Sequence, residues 1–330
     1  MRNQVNGVIE KETTGSLMKR EFISIKDSFT VTEAMAHIRK EMKGKNNIHY
    51  VYITDDAGKL TGTLSIREML SASDDQLIID IMIRDIVTFP LDMDQEEAAK
   101  IFQDTDLVSI PVVKQNHQLI GVVHVEDILD VIEKEATEDF HKMAPVSKDL
   151  DGGLLDASIG LLYRKRIAWL LILVFMNVFS GAGIAHFEDI IEANIALVFF
   201  LPLLVDSGGN AGSQSATLVI RAMATGDVRL RDWFKMFTKE ISISIMLGVT
   251  MALAVSTVGL WRGGIDIAIV VALTMTLIVI VGSLIGMSLP FIFRKLKLDP
   301  ATASAPLITS IADIVGVLIY FGIAAWFLNL

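Results

Sequence analysis

The chain has 330 residues, 52% of them hydrophobic, and its mean hydropathy of +0.51 is above that of ordinary soluble proteins. The formal net charge is −10, but residues 1–163 carry −12 and residues 164–330 carry +2. An acidic first half argues against nucleic-acid binding, which needs a basic surface, and it favours a cation as partner. With no cysteine, the chain has no disulfides and no thiolate metal sites.

The N-terminal segment 1–19 lacks the apolar core of roughly 7 to 15 residues that a secretory signal peptide requires. We therefore expect the N-terminus to stay in the cytosol.

A repeated unit follows this segment. Residues 62–70 (GTLSIREML) align without a gap with residues 121–129 (GVVHVEDIL), at a period of 59 residues. In each copy, an acidic helical stretch precedes an apolar strand, a polar turn, a second strand and a helix. The order and the period resemble a tandem CBS pair. This resemblance predicts an α/β module with one CBS copy at 20–78 and the other at 79–140.

The CBS resemblance also implies a ligand, because the clefts of such modules often bind ATP or another adenine nucleotide. A Ser or Thr and an Asp near the last helix of each copy commonly face the nucleotide. The corresponding positions here are Ser65, Arg67, Glu68, His124, Glu126 and Asp127. We take Ser65, His124 and Asp127 as the candidate contacts. The alternative is a module that acts as a scaffold without a ligand.

An acidic helix is predicted at 126–139, within a connecting region at 126–163. Its sequence EDILDVIEKEATED holds seven acids and one lysine, with the apolar residues on the opposite face. Like charges three or four residues apart repel, so this helix is destabilised unless cations neutralise it. Mg²⁺ prefers such carboxylate ligands. The alternative is an ordinary solvated helix face.

Five apolar stretches are each long enough to cross a bilayer, which needs about 20 residues. They lie at 167–187, 190–220, 241–260, 265–293 and 301–328. The second and fourth exceed 25 residues, so a tilt or a break is expected. In the second, Pro202 and the polar run 206–210, which includes the adjacent Gly208 and Gly209, predict a helix break. The predicted fold is therefore a cytosolic α/β tandem CBS module followed by an all-α membrane domain of five helices at 164–330.

Basic residues orient these spans. The segments before the first span, between the second and third, and between the fourth and fifth hold eleven Lys and Arg, whereas the other two loops hold only Arg262. By the positive-inside rule, the first half of the chain is cytosolic and the C-terminus lies outside. We expect a multi-pass protein of the cell membrane.

Away from the span ends, the five stretches contain only two ionisable side chains, Asp206 and Asp313. An Asp at the centre of a membrane helix costs about 2.5 to 3.5 kcal/mol on insertion scales, so its usual explanation is a pathway or a binding site. Asn210 and several hydroxyl residues accompany these acids. This oxygen-rich lining favours hydrated Mg²⁺ over copper or zinc. A protonated Asp bonded to a neighbouring helix is the alternative.

Four ordered strings resemble the MgtE family of magnesium channels: VVHVEDILDVIEKEATED, RKRIAWLLIL, PLLVDSGGNAGSQSATLVIRAMATGD and LDPATASAPLITSIADIVGVLIYF. The resemblance implies a homodimer with its pore at the subunit interface. It makes Asp313 the ion-selecting residue, while Asp206 ranks below it. It also implies that cytosolic Mg²⁺ closes the pore by binding a set of sensing carboxylates: Asp127, Asp130, Glu135, Glu138, Asp139 and Asp299.

Members of this family usually begin with an additional acidic, all-helical domain, whereas only about 20 residues precede the first CBS copy here. We therefore expect part of the Mg²⁺ sensor to be missing.

Two other functions remain open at this point. One is a carrier or exporter that couples Mg²⁺ to Na⁺ or H⁺ through the same helices, and the other is a nucleotide-sensing receptor without transport. An enzyme is not expected, because the membrane segments carry no catalytic triad, phosphate loop or His-rich metal site.

Overall fold

A computed structural model of the protein describes residues 11–42, 48–144 and 155–329. Residues 1–10 of the predicted N-terminal segment and residues 145–154 of the predicted connecting region lie outside the described residues. The chain divides into two compact units, Met1–Ala136 and Thr137–Leu330.

The first unit is a mixed α/β structure. Its helices are α1 (Thr14–Leu17), α2 (Val31–Glu41), α3 (Ile66–Ser71), α4 (Ile78–Ile81) and α5 (Gln95–Gln103). Its strands are β1 (Ser24–Lys26), β2 (Tyr50–Thr54), β3 (Leu60–Ser65), β4 (Phe89–Pro90), β5 (Ser109–Val113) and β6 (Leu119–His124). Helix α6 (Val125–Met143) begins in this unit and ends in the second.

The strands form two three-stranded sheets with the same topology, β1-β2-β3 and β4-β5-β6. In each sheet the first pair of strands is parallel and the second is antiparallel. Gly62 pairs with Ile53 and Gly121 pairs with Val112, so the two registers repeat at the period seen in the sequence. A Cβ at either glycine would meet a methionine side chain, so both copies pack a methionine closely against the glycine of the last strand. The predicted repeat is thus a structural repeat.

The second unit is helical. Its helices are α7 (Ile159–His186), α8 (Glu188–Ala193), α9 (Ala196–Ala224), α10 (Trp233–Lys295) and α11 (Ala305–Leu328), and short 3-10 turns lie at Leu230–Asp232 and Pro300–Thr302. Helix α10 is interrupted at Gly264, where φ is +78° and the backbone is not helical. Glycine adopts this left-handed conformation without the steric cost that a Cβ would impose. The interruption falls in the loop predicted between the third and fourth spans.

Within the described residues, three helical segments are long and apolar enough to cross a membrane: Ile159–His186, Leu230–Lys295 and Ala305–Leu328. The second is 66 residues long, more than twice the length that one crossing needs. Helix α9 is not among the three, because its polar run from Asp206 to Asn210 lowers its hydropathy. The structure therefore supports several membrane helices without establishing the predicted five.

The core of the helical unit is built from α9, both halves of α10 and α11. Phe200, Ile278 and Phe321 are almost completely buried there, and the Tyr320 hydroxyl donates a hydrogen bond of 2.8 Å to the Leu197 carbonyl oxygen. Helix α7 lies outside this core and has no buried residue. Its apolar side chains are suited to contact with lipid.

The predicted helix break at Gly208 and Gly209 is wrong, because α9 is one continuous helix from Ala196 to Ala224. These glycines instead allow neighbouring helices to approach closely. A Cβ at Gly208 would lie 2.5 Å from Ile278 Cγ2, and one at Gly209 would lie 2.8 Å from Thr309 Cγ2. Close packing therefore explains the glycine pair better than a change of backbone conformation does.

Candidate functional site

Backbone contact between α9 and α10 determines which face of α9 remains open. A Cβ at Gly212 would lie 2.6 Å from the Gly282 carbonyl oxygen, and a Cβ at Gly286 would collide with the Gly212 carbonyl. Gly208 with Gly212 and Gly282 with Gly286 form matching small-residue pairs, each with three intervening residues, as is common where membrane helices touch. The glycine face of α9 is consequently closed by protein, and its polar residues lie on another face.

That polar face of α9 contains Asp206, Asn210, Ser213 and Thr217, which follow one another at helical spacings. The Asn210 side-chain amide donates a hydrogen bond of 2.8 Å to the Asp206 carboxylate. Both side chains are exposed in the single chain. A carboxylate in a membrane helix has to face protein or water rather than lipid. This polar face of α9, together with the polar residues of α11 beside it, forms a polar seam that is a candidate pathway.

Asp313 on α11 is the second acid of the seam. It is half-buried, and its Oδ1 atom is buried without accepting a hydrogen bond from any residue that the structure describes. The carboxylate of Asp206 is close enough to act on it electrostatically. One turn before Asp313, the Thr309 hydroxyl lies 3.4 Å from the Ser213 hydroxyl. The two acids therefore belong to one polar region.

The donor set of this region suits a hard cation. Neither Asp206 nor Asp313 forms an ion pair within the described chain. No group of three or more His, Asp or Glu side chains among the described residues is arranged to hold a metal ion. Mg²⁺ is often held by one or two carboxylates while it keeps several waters. With two carboxylates, the seam fits that mode of binding.

The C-terminal end of α6 contains a second charged cluster. Lys142 Nζ lies 2.6 Å from the Glu138 carboxylate and also forms an ion pair with Asp299. Burial lowers the pKa of Lys142, but hydrogen bonds to Asp299 and Glu138 outweigh this effect, and the pKa is raised above its usual 10.5. Two of the predicted sensing carboxylates are therefore brought together, with a lysine ammonium group between them.

Asp299 has a structural role as well. Its carboxylate accepts a hydrogen bond of 2.8 Å from the Ala301 backbone N–H at the start of the 3-10 turn before α11. Next to Lys142, Met143 packs on a cluster of apolar residues from α9, α10 and this turn, including Ile220 and Phe293. The end of α6 is thus attached to the helical unit by both charge and apolar packing.

The other predicted sensing residues are not part of this cluster. In the first unit, Asp127 forms an ion pair of 2.8 Å with Lys19, and Glu135 accepts a hydrogen bond of 2.6 Å from the Gln95 side chain. Asp130 is exposed, and Asp139 is half-buried. Sequence reasoning overlooked both Lys19 and Lys142. Lys142 could have been noticed as the i+4 partner of Glu138, whereas nothing local points to Lys19.

A cavity of about 970 Å³ lies in the first unit and matches the predicted nucleotide cleft only in part. Ser65, Arg67 and Glu68 line it, but His124 and Asp127 do not. The Ser65 hydroxyl donates a hydrogen bond of 2.8 Å to Glu68 Oε2 and accepts one from the Glu68 backbone N–H at the start of α3. Of the three candidate contacts, the structure brings only Ser65 to this cavity.

The floor of the cavity joins the two CBS copies. Tyr52 from the first copy and Ser109 from the second both line it, and their hydroxyl groups are 2.9 Å apart. Burial raises the pKa of Tyr52 to about 12, so this side chain is a neutral hydrogen-bonding group at physiological pH. The cavity therefore depends on both copies, and neither would form it alone.

Comparison with known protein families gives two matches. The family described as a divalent cation transporter, MgtE, matches residues 201–323. The CBS domain family matches residues 15–75 and 78–134. Together these matches cover both units of the chain.

Individual proteins are similar over nearly the whole chain. The magnesium transporter MgtE of Thermus thermophilus is 38% identical over 315 residues, covering 96% of this chain and 70% of that protein. The magnesium transporter MgtE of Bacillus subtilis is 33% identical over 319 residues, with the same two shares.

Among solved structures, the cytosolic domain of the Mg²⁺ channel MgtE in complex with ATP is 34% identical, with a TM-score of 0.37. That match covers 37% of this chain and half of the solved one.

Proposed function

The chain belongs to the MgtE family of divalent cation transporters, and on this premise we propose that it passes Mg²⁺ across the cell membrane through the seam formed by α9 and α11. The observation that carries the proposal is the buried Oδ1 of Asp313, which has no hydrogen-bond partner in the described chain and lies near the Asp206 carboxylate. An unpartnered buried carboxylate is costly unless a cation or water reaches it.

The membrane arrangement we propose has five crossings. They are α7, α9, the two halves of α10 on either side of Gly264, and α11. The eleven-to-one distribution of basic residues favours a cytosolic first unit and an external C-terminus.

A homodimer would complete the pathway. In the described chain no three acidic or His side chains converge on one point, and Asp206 and Asn210 are exposed. A second copy facing the same seam would add two carboxylates and shield these polar groups from lipid. A ring of carboxylates of this kind selects cations.

Gating is proposed to act through the end of α6. With Lys142 between them, Glu138 and Asp299 are partly neutralised, and a Mg²⁺ ion binding to these carboxylates would have to compete with the ammonium group. When cytosolic Mg²⁺ falls, the ion leaves these carboxylates and the other acidic side chains of α6 repel one another. The end of the helix is then held less firmly. The pore then opens, and uptake restores the cytosolic concentration.

The cavity shared by the two CBS copies is proposed to bind ATP or another adenine nucleotide. Its volume lies within the range of small-molecule sites, about 300 to 1,000 Å³. Arg67 supplies a positive charge at its wall for phosphate groups, and Tyr50 and Tyr52 supply aromatic surface for a base.

Flux into proteoliposomes tests the transport proposal. The purified full chain is reconstituted, and Mg²⁺ uptake is followed with an internal dye for wild type, Asp313→Asn and the control Asp266→Asn. Asp266 is an exposed acid two residues after the Gly264 interruption. We expect uptake down a Mg²⁺ gradient alone in wild type and in the control, and its loss in Asp313→Asn.

Other outcomes would overturn parts of the proposal. Uptake that requires a Na⁺ or proton gradient would make the protein a coupled carrier. The absence of uptake under any gradient would favour a receptor that does not transport. Equal uptake in Asp313→Asn and wild type would remove Asp313 from the pathway.

A further inference from the structure

A second cavity, of about 440 Å³, lies where α9 connects to α10, away from the polar seam. Its lining comes from the connection that follows α9 and from the first two turns of α10. Gly226 reverses the chain just after α9 with a φ of +79°, and the 3-10 turn Leu230–Asp232 leads into α10. The connection between α9 and α10 and the first turns of α10 therefore enclose a space and do not pack directly against each other.

Four positive side chains line this space: Arg229, Arg231, Lys235 and Lys239. All four are exposed, and none forms an ion pair with a residue that the structure describes. Lys235 and Lys239 are four residues apart and lie on the same face of α10. The cavity therefore has a concentration of positive charge that the described chain does not neutralise.

The two acids of the lining have local hydrogen bonds. The Asp227 carboxylate accepts a bond of 2.8 Å from the Thr225 hydroxyl, and the Asp232 carboxylate accepts one of 2.9 Å from the Arg229 backbone N–H. Both acids are therefore held by local partners and, among the described residues, do not form an ion pair with the four basic side chains. The lining keeps a formal charge of +2 and favours a negatively charged ligand.

Apolar and aromatic side chains beside the cavity indicate its depth in the membrane. Leu230 and Phe234 are 44% and 69% exposed, and the ring of Trp233 stacks on that of Phe237 with centroids 5.0 Å apart. Trp and other large aromatic residues concentrate at the level of the lipid headgroups. In the orientation proposed above, these side chains would place the cavity at the level of the lipid phosphate groups on the cytosolic side.

We propose that this cavity binds the phosphate of an anionic phospholipid of the cytosolic leaflet. The arginine side chains can donate paired hydrogen bonds to the phosphate oxygens, and the lysines add point charges. Leu230 and Phe234 contact the first part of the acyl chains. Basic pockets beside membrane helices are established lipid-headgroup sites in general.

Native mass spectrometry of the detergent-solubilised full chain tests the proposal with phosphatidylglycerol and phosphatidylcholine as probes. The site variant is Arg229→Gln with Lys235→Gln, and the matched control is Lys295→Gln with Lys297→Gln, which removes two exposed charges from another basic connection. Each charge that lines the binding cavity changes affinity for an anionic headgroup about fivefold. We expect phosphatidylglycerol to bind the site variant about 30-fold more weakly and the control less than about twofold more weakly.

A charge-preserving variant separates binding from folding. Arg229→Lys with Lys235→Arg keeps both charges, and we expect it to retain affinity within about threefold of wild type. Equal losses in the site variant and the control, or equal binding of phosphatidylcholine, would overturn the proposal. Displacement of the lipid by an equal concentration of inorganic phosphate would overturn the lipid as the ligand and assign the cavity to free phosphate. Because lipid binding is read without ion flux, the result does not depend on whether the transport proposal holds.

Discussion

Replacing Lys142 by methionine removes the ammonium group that joins Glu138 to Asp299 but keeps a side chain of similar length. Both ion pairs are partly buried, because the exposed fractions of the Lys142, Glu138 and Asp299 side chains are 24%, 14% and 35%. A hydrogen bond to a charged group contributes about 1.5 to 3 kcal/mol, and an exposed ion pair about 0.2 to 1 kcal/mol. Allowing for desolvation of the ammonium group, we assign about 1 kcal/mol to each contact.

The loss of about 2 kcal/mol corresponds to a roughly 30-fold change in an equilibrium constant. On the proposed gating, the end of α6 is then held less firmly when no Mg²⁺ replaces the lysine. We expect a larger open fraction, and therefore faster Mg²⁺ entry, in Lys142→Met liposomes that contain a chelator. At high internal Mg²⁺ the difference should shrink, because the ion takes over the two carboxylates.

The control for this experiment is Lys134→Met, on the same helix. The Lys134 side chain is 56% exposed, and its ion pair with Glu12 is long, at 3.5 Å. Such an exposed ion pair contributes little, so the removal of Lys134 should leave the flux unchanged. Since the pKa of Lys142 is raised, its ammonium group stays charged at neutral pH, and its contribution is lost only as pH rises above the usual 10.5. Equal flux in Lys142→Met and wild type at low internal Mg²⁺ would refute the proposed role of Lys142 in holding the end of α6.

Three further predictions concern packing, pH and nucleotide binding. Gly286→Ala should lower the free energy of unfolding of the detergent-solubilised protein by about 1 to 3 kcal/mol, because the added Cβ meets a carbonyl of α9. The control Gly322→Ala, whose Cβ would meet no atom within 4 Å, should leave the stability unchanged. Equal effects of the two variants would contradict the packing. Burial and the Lys19 charge lower the pKa of His124, so the unfolded chain binds a proton more readily and stability should fall as pH drops below the usual 6.5; thermal unfolding of His124→Gln should lack this dependence. Arg67→Gln should weaken ATP binding, measured by calorimetry, about tenfold, whereas Asp127→Asn, outside the cavity, should leave it unchanged. A loss of affinity in Asp127→Asn but not in Arg67→Gln would exclude the cavity as the nucleotide site.

Much of the fold could be predicted because its signals are local. The period-59 repeat predicted an α/β unit that is used twice, and the matching strand registers at Gly62 and Gly121 confirm it. The apolar stretches near 167–187 and 301–328 correspond to α7 and α11. Hydrophobic period and length record the environment of each segment directly, so one sequence is sufficient for such predictions.

Other features depend on residues far apart in the chain. Gly208 and Gly209 were interpreted as a break because a glycine pair weakens a helix. Gly208 packs against Ile278 and Gly209 packs against Thr309, which lie 70 and 100 residues later in the chain. Lys142 and Asp299 are separated by 157 positions, and no local pattern connects them. The roles of Asp313, Asp206 and Asn210 as ion ligands stay predictions, since the structure shows their proximity without an ion.

The close glycine contact between α9 and α10 also has a mechanical consequence. Where Gly212 meets Gly286 there are no side chains that could change rotamer and absorb a displacement, so we expect the two helices to move as one rigid block. Helix α7 has no buried residue and packs mainly against α11. In the proposed mechanism, a change in the width of the pathway would then come from movements around this block, in α7 and at the end of α6, while the block itself serves as the fixed frame.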